Sequence, residues 1–268
     1  MIQHEKKLNT ALRREKQLHY LLGTVVILIF LLVWEAIGRF ELVNPLFTSS
    51  PSRVVKAGIL LVKDGTLLAH LSISAKEFIL GYGVAIIIGV PIGISLGWFK
   101  SFSAAFGPMI SAFYATPRVA LMPLFIIWFG LGLTSKIIVV LLSAVFPLIV
   151  NLQTGMTTID PDLIKVAKSY GATRWQIFRS IALPASMPFM VTGLRLAAGR
   201  GLLGVIVAEV FGGSQGIGYL IQYAGATFQT DKVFVGVAVV ATTGIILDRG
   251  LHRTGRYFDK WRGETAVG

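Results

Sequence analysis

Cysteine is absent from the 268 residues, which excludes a disulfide framework and a thiolate metal site. Histidine is scarce. His4, His19, His70 and His252 are scattered without ligand spacing, and each reads as solvated or interfacial. Charge is also in short supply: at 14% of residues it cannot cover the surface of a soluble domain. The surplus apolar residues, 54% of the chain, must face something other than water, and lipid meets that need. Basic residues outnumber acidic ones, for a net charge of +12. Their placement argues against a nucleic-acid partner, because they lie between long apolar runs and are not interleaved with exposed aromatics. No G-x-x-x-x-G-K-[ST] phosphate loop is present, and no cofactor is expected.

What is present is a series of apolar runs. A basic lead (Lys6, Lys7, Arg13, Arg14, Lys16) precedes the run Leu21–Trp34. No small-x-small cleavage site follows, so the expectation is an uncleaved first span, roughly 20–38. Ser50 and Pro51 can start a helix and Gly65 can end it. Val55, Ile59 and Val62 share a face of that segment, as in an amphipathic helix lying on a membrane surface or in a short soluble helix. The further runs are Phe78–Phe99, Ser101–Ser135 broken only by Arg118, Ile137–Ile159, Ser180–Leu194 continuing to Val207, and Val233–Leu247. The last needs its flanks to reach the ~20 residues of a span.

The expected fold is therefore all-α, a polytopic bundle of about six transmembrane helices. Six spans place both termini in the cytoplasm, where most Lys and Arg then fall. The expected organisation is a basic cytoplasmic segment at 1–19, a membrane domain at 20–250 and a cytoplasmic tail at 251–268. The expected location is the inner cell membrane.

Gly89, Gly93 and Gly97 form a ladder that lets two helix backbones approach, either between subunits or within one. Prolines at 91, 108, 117, 123 and 147 interrupt the runs, and Pro117 puts a kink beside Arg118. Glu35, Arg118, Arg195, Arg200 and Glu209 are charges at membrane depth, each costing a few kcal/mol unless paired or wet. Some line an aqueous route to meet a charged substrate, or they pair internally, Arg118 or Arg200 with Glu209, or they reach the headgroups.

Residues 159–185 carry ordered start and stop signals. Asp160 can cap a helix, Pro161 suits its first turn and Asp162 its positive end. Gly171 can end that helix in a left-handed conformation. Thr173 and Gln176 then form a capping box for a second short helix, and Pro184 precedes the next span. The expectation is a helix–glycine–helix hairpin on the cytoplasmic side.

Ala167, Gly171, Ile181, Leu183 and Pro184 match the spacing of the "EAA" loop of ABC-importer permeases. Residues 117–136 (PRVALMPLFIIWFGLGLTSK), Gly193-Leu194-Arg195, and the stretches 207–209 and 216–220 resemble the nitrate/sulfonate/taurine permease group, over about residues 45–262. Lys165 and Val166 depart from the motif, which has Glu and Ala there.

The resemblance implies a type I importer permease. It assigns ATPase coupling to Ala167, Gly171, Ala172, Ile181, Leu183 and Pro184. It further implies a separate cytoplasmic ATPase, an extracytoplasmic binding protein and a second permease subunit, as a homodimer. Gly212–Gly218 would shape an extracellular turn or re-entrant segment near the binding-protein dock. The implied cargo is a small anion such as nitrate, a sulfonate or taurine, with a vitamin or pyrimidine precursor as the alternative. An intramembrane enzyme is disfavoured, because no span carries a His–nucleophile pair or paired carboxylates close in sequence. A secondary transporter is the nearer rival, distinguished by activity without ATP.

Overall fold

The computed structural model describes residues 2–258, apart from the side chains of 2–17, 20, 118, 119, 254 and 256–258. The basic side chains at 6–16 and most of the tail at 251–268 therefore lie outside the described residues, as does the side chain of Arg118. Among the described residues every regular element is helical.

Helix α1 spans Ile2–Arg39 and α2 spans Pro51–Lys63. Ser50 caps α2, accepting from the Arg53 N–H at 3.4 Å, and Pro51 fills the first helical position. Gly65, at φ +78°, separates α2 from α3, which runs Thr66–Trp98. The Thr66 N–H donates to Asp64 at 2.9 Å, and this bond holds the exposed Asp64 carboxyl below the usual carboxylate range. The sequence reading starts this span at Phe78. The helix begins twelve residues earlier because nothing between Gly65 and Phe99 breaks it, and Ser74 and Glu77 find polar partners inside the protein.

The run 101–135 is not one helix. Helix α4 (Lys100–Ala115) ends at Thr116, which is extended at ψ 130°, as the residue before a proline prefers. A 3₁₀ turn over Arg118–Leu121 leads into the short α5 (Met122–Phe129), and Gly130, at φ +78°, stops it. Helix α6 follows over Leu133–Thr157. After the loop helices come α9 (Leu183–Gly212), α10 (Ile217–Ala226) and α11 (Thr230–Phe258). Helix α11 does extend beyond Val233–Leu247 at both ends.

Among the described residues four helices are long and apolar enough to cross a bilayer: Leu21–Arg39, Thr66–Trp98, Leu133–Thr157 and Thr230–Arg253. The two other expected crossings are built differently. The α4–α5 passage is broken at Pro117. Helix α9 has 30 residues, about 45 Å, but carries Arg195, Arg200 and Glu209.

The core is the α3–α6–α9 trio. Ala144, Leu148, Ile149 and Leu152 of α6 are buried between α3 and α9, with Ala85 and Leu96 from one side and Ala197 from the other. The glycine ladder makes this packing possible. A Cβ at Gly93 would lie 2.8 Å from the Leu152 Cβ, and one at Gly89 would lie 3.2 Å from both Leu148 and Val145. Between the two readings of the ladder, the structure places it inside one subunit, against α6.

Helix α1 stands at the edge, almost unburied over its apolar stretch. Glu35 is only partly buried and forms no ion pair among the described residues. It accepts from the Ser52 N–H (3.0 Å) and hydroxyl (2.7 Å) at the first turn of α2, where a helix favours negative charge. Helix α2 turns Val54, Ala57 and Leu61 toward α3, α10 and α11, and leaves Val55, Ile59 and Val62 exposed. The Arg53–Asp231 ion pair (3.1 Å) fastens it to the start of α11.

Candidate coupling loop and intramembrane charges

The loop after α6 folds as its start and stop signals direct. Asp160 accepts from the Asp162 N–H at 2.8 Å and opens α7, Pro161–Ser169. Its exit is a complete Schellman arrangement. Gly171, at φ +78°, donates its N–H to the Lys168 carbonyl (2.9 Å), and Ala172 donates to the Ala167 carbonyl (3.0 Å). Thr173 and Gln176 form the capping box of α8, Arg174–Ile177, with the Thr173 N–H donating to Gln176 Oε1 at 2.7 Å. One π-helical turn, Phe178–Ala182, joins α8 to α9, and Pro184 lies in the first turn of α9.

Ile181 and Leu183 pack with Ala182 against Met156 and Ile159, so the loop is anchored to the end of α6. Ala167, Gly171, Ala172 and Ile181 line one hollow of about 380 Å³ together with Tyr170, Gln176 and Ser180. Leu183 and Pro184 do not line it. Helix α7 buries none of its residues and exposes Leu163 and Val166, and Tyr170, just after its end, is 89% exposed. Lys165, where the motif has Glu, reaches back to Asp162 at 2.8 Å. Both groups are well exposed, so that pair adds little stability.

The charges at membrane depth separate into distinct environments. Arg195 donates from Nε (3.0 Å) and from its terminal nitrogen (2.8 Å) to Asp248 on α11, and lies 3.4 Å from His252. It is a helix-to-helix tie. Arg200 lies on an exposed stripe of α9 with Thr192, Leu196, Leu203 and Phe211, and it has no hydrogen-bond or ion-pair partner among the described residues. Arg118 begins the 3₁₀ turn after the Pro117 break.

Glu209 is fully buried and is not paired with Arg200, one of its two expected partners, while the side chain of the other, Arg118, lies outside the described residues. Its carboxylate accepts from the Ser74 hydroxyl at 2.5 Å and from the Gly218 N–H at 2.6 Å. The Glu77–Lys136 ion pair (2.7 Å), also buried, lies within interaction range of it. Sequence reasoning missed Ser74, Glu77 and Lys136. Lys136 reads as an outer loop charge. Ser74 and Glu77 sit three residues apart on one helical face of a long apolar helix, which was the available signal.

The comparisons with known proteins agree with this geometry. The chain is 32% identical over 266 residues to the taurine transport system permease protein TauC of Escherichia coli K12, covering 97% of this chain and 96% of that protein. It is also 32% identical over 247 residues to the putative aliphatic sulfonates transport permease protein SsuC of Bacillus subtilis 168, covering 92% and 90%. The fold matches a chain of the inward-facing MetNI methionine ABC transporter with a TM-score of 0.60 at 18% identity, covering 72% of this chain and 96% of that one. Residues 89–254 match the family described as "binding-protein-dependent transport system inner membrane component". The chain belongs to that family and is a membrane permease subunit of an ABC importer with the type I fold.

Proposed function

We propose that this permease imports a small sulfonate-type anion, taurine or an aliphatic sulfonate, and that Arg200 meets the anion on the pathway. The carrying observation is Arg200 itself: a guanidinium in the body of α9, exposed and without a partner among the described residues, on a stripe that is otherwise nearly apolar. A permanent positive charge in that position is costly unless water or an anion accompanies it. Its planar fork suits the oxygens of a sulfonate. The relatives named for taurine and sulfonates point to the same cargo class.

In this reading two copies of the chain form the pathway. A separate cytoplasmic ATPase supplies the hydrolysis, docking on the exposed apolar face of α7 and the hollow beside Gly171. An extracytoplasmic binding protein delivers the anion at the other end. Both termini and the 159–185 loop are cytoplasmic, in accord with the excess of Lys and Arg there.

The test is taurine uptake by the assembled transporter in vesicles. Arg200→Ala is expected to lower uptake by roughly tenfold or more, the effect of losing one charged contact. Co-purification of the ATPase stays intact, and Arg200→Lys recovers part of the uptake. Wild-type uptake by Arg200→Ala excludes the pathway role, and loss of assembly assigns Arg200 to the subunit interface.

A further inference from the structure

Three charged groups pack together where α3, α6 and α9 meet, at the end of α6 far from the 159–185 loop. Glu77 of α3, Glu209 of α9 and Lys136 of α6 are 2%, 0% and 7% exposed. Lys136 donates to Glu77 Oε1 at 2.7 Å, and that pair is neutral. Glu209 then adds a whole negative charge to a packed interior, which is strongly unfavourable without compensation.

The hydrogens are short by the same amount. Glu209 accepts from the Ser74 hydroxyl (2.5 Å) and the Gly218 N–H (2.6 Å). Glu77 accepts from Lys136 on Oε1. Its other oxygen, Oε2, is the one buried side-chain polar atom without a hydrogen-bond partner among the described residues. Yet the Glu77 and Glu209 carboxyls lie within hydrogen-bond reach of each other. Two ionised carboxylates have no hydrogen to offer, and at such range they repel.

The neighbouring elements bring no second cation among the described residues. His70 of α3 is engaged with α10, accepting from the Gly216 N–H at 3.0 Å, with Tyr219 beyond it. Otherwise α10 brings backbone N–H groups, and α5 has no ionisable residue. On α11, Asp231 and Asp248 are paired with Arg53 and Arg195. Arg200 of α9 is exposed, and Arg118 precedes α5.

We propose that Glu77 and Glu209 form a proton-binding site: Glu77 carries a single proton on Oε2 and donates it to Glu209, joining α3 to α9 and leaving the cluster neutral. Glu77 is the carrier because Glu209 is already supplied with two hydrogens. The native protein then binds one proton more than the unfolded chain, whose glutamates are ionised above the ordinary carboxylate range. Stability therefore falls as pH rises above that range, by about tenfold in the folding equilibrium per pH unit, until the proton is released. The site is independent of the cargo.

The experiment uses the whole transporter in lipid nanodiscs, without cargo, its permease carrying isotopically labelled glutamate. Infrared spectra across pH read the C=O stretch of a protonated carboxylic acid, which the label shifts, and the thermal midpoint is followed alongside. The wild type is expected to show a labelled band at neutral pH and to lose it at alkaline pH. Glu77→Gln, whose amide N–H takes the place of the proton, is expected to assemble and to lack the band. The wild-type midpoint should fall relative to that of Glu77→Gln as pH rises. No labelled band in the wild type at neutral pH overturns the proposal; if Arg118→Ala then creates one, the arginine is the balancing charge. A band that persists in Glu77→Gln, or midpoints that fall in parallel, also overturns it. If Glu77→Gln does not assemble, Glu209→Gln takes its place with the same outcomes. If neither assembles, the wild-type band decides alone, since Glu77 and Glu209 are the buried glutamates among the described residues.

Discussion

Gly171 is needed for its backbone, not to avoid a neighbour. Its φ of +78° closes the Schellman turn after α7, yet a Cβ built on it meets nothing within 4 Å inside the protein. The open space lies in the hollow it lines with Ala167, Ala172 and Ile181, where an ATPase surface would approach. Gly171→Val therefore carries two costs. The left-handed conformation strains a β-branched residue by about 1–3 kcal/mol. The new side chain also fills space left for the partner. The spans should still insert, because no core residue is disturbed. ATPase co-purification and hydrolysis stimulated by loaded binding protein should fall several-fold or more, since ~1.4 kcal/mol is tenfold in an equilibrium. Gly171→Ala, with the same φ but no β-branch, should lie between the two. Wild-type values in both variants would remove the loop from coupling.

At the scale of elements, the α3–α6 seam depends on the absence of side chains at Gly89, Gly93 and Gly97. Gly93→Val would place its Cβ 2.8 Å from the Leu152 Cβ and 3.0 Å from the Ile149 carbonyl oxygen, both on a helix held on its other side by α9. Neither helix has room to retreat, so overpacking of roughly 1–3 kcal/mol is expected, with a lower thermal midpoint and less assembled protein. Gly83, where a Cβ meets nothing within 4 Å, is the control: Gly83→Ala should leave both unchanged. A Gly93→Val protein as stable as wild type would mean that the α3–α6 seam is looser than described. The sequence carries the ladder but not its partner, because a small-residue stripe says only that something comes close. The same divide runs through the functional residues. Asp160, Gly171, Thr173 and Gln176 were legible because caps and turns are settled within a few residues. The Glu209 hydrogen bonds were not, since its partners Ser74 and Gly218 lie 135 residues before it and 9 after it, joined only by the packing of α3, α9 and α10. The break at Thr116–Pro117 was marked by its proline, while the early start of α3 was hidden by polar residues whose partners are tertiary.

For the whole molecule, the open quantity is which end faces the cytoplasm, and charge supplies the physical reason. The loop end carries Lys100, Lys165, Lys168, Arg174 and Arg179, and Arg249 and Arg253 lie toward the C-terminal end of α11. At the opposite end two of the cations are neutralised within the protein. Arg53 is paired with Asp231, and Lys136 is buried against Glu77. That sharpens the asymmetry, because a basic residue held in an internal pair no longer counts as a free loop charge, and the bias that sets orientation is then stronger than the raw residue count. The absence of cysteine makes the test clean. Single cysteines placed at Lys63, Tyr170 and Arg249, all exposed, should divide into two classes toward a membrane-impermeant maleimide applied to intact cells. Lys63→Cys should label, while Tyr170→Cys and Arg249→Cys should label only after the membrane is opened. Labelling of Tyr170→Cys in intact cells would invert the molecule and put the Schellman turn on the wrong side for any cytoplasmic ATPase. Labelling of Arg249→Cys with Tyr170→Cys protected would instead mean that α11 does not cross, and that the Arg195–Asp248 tie joins two helices turned back on the same side.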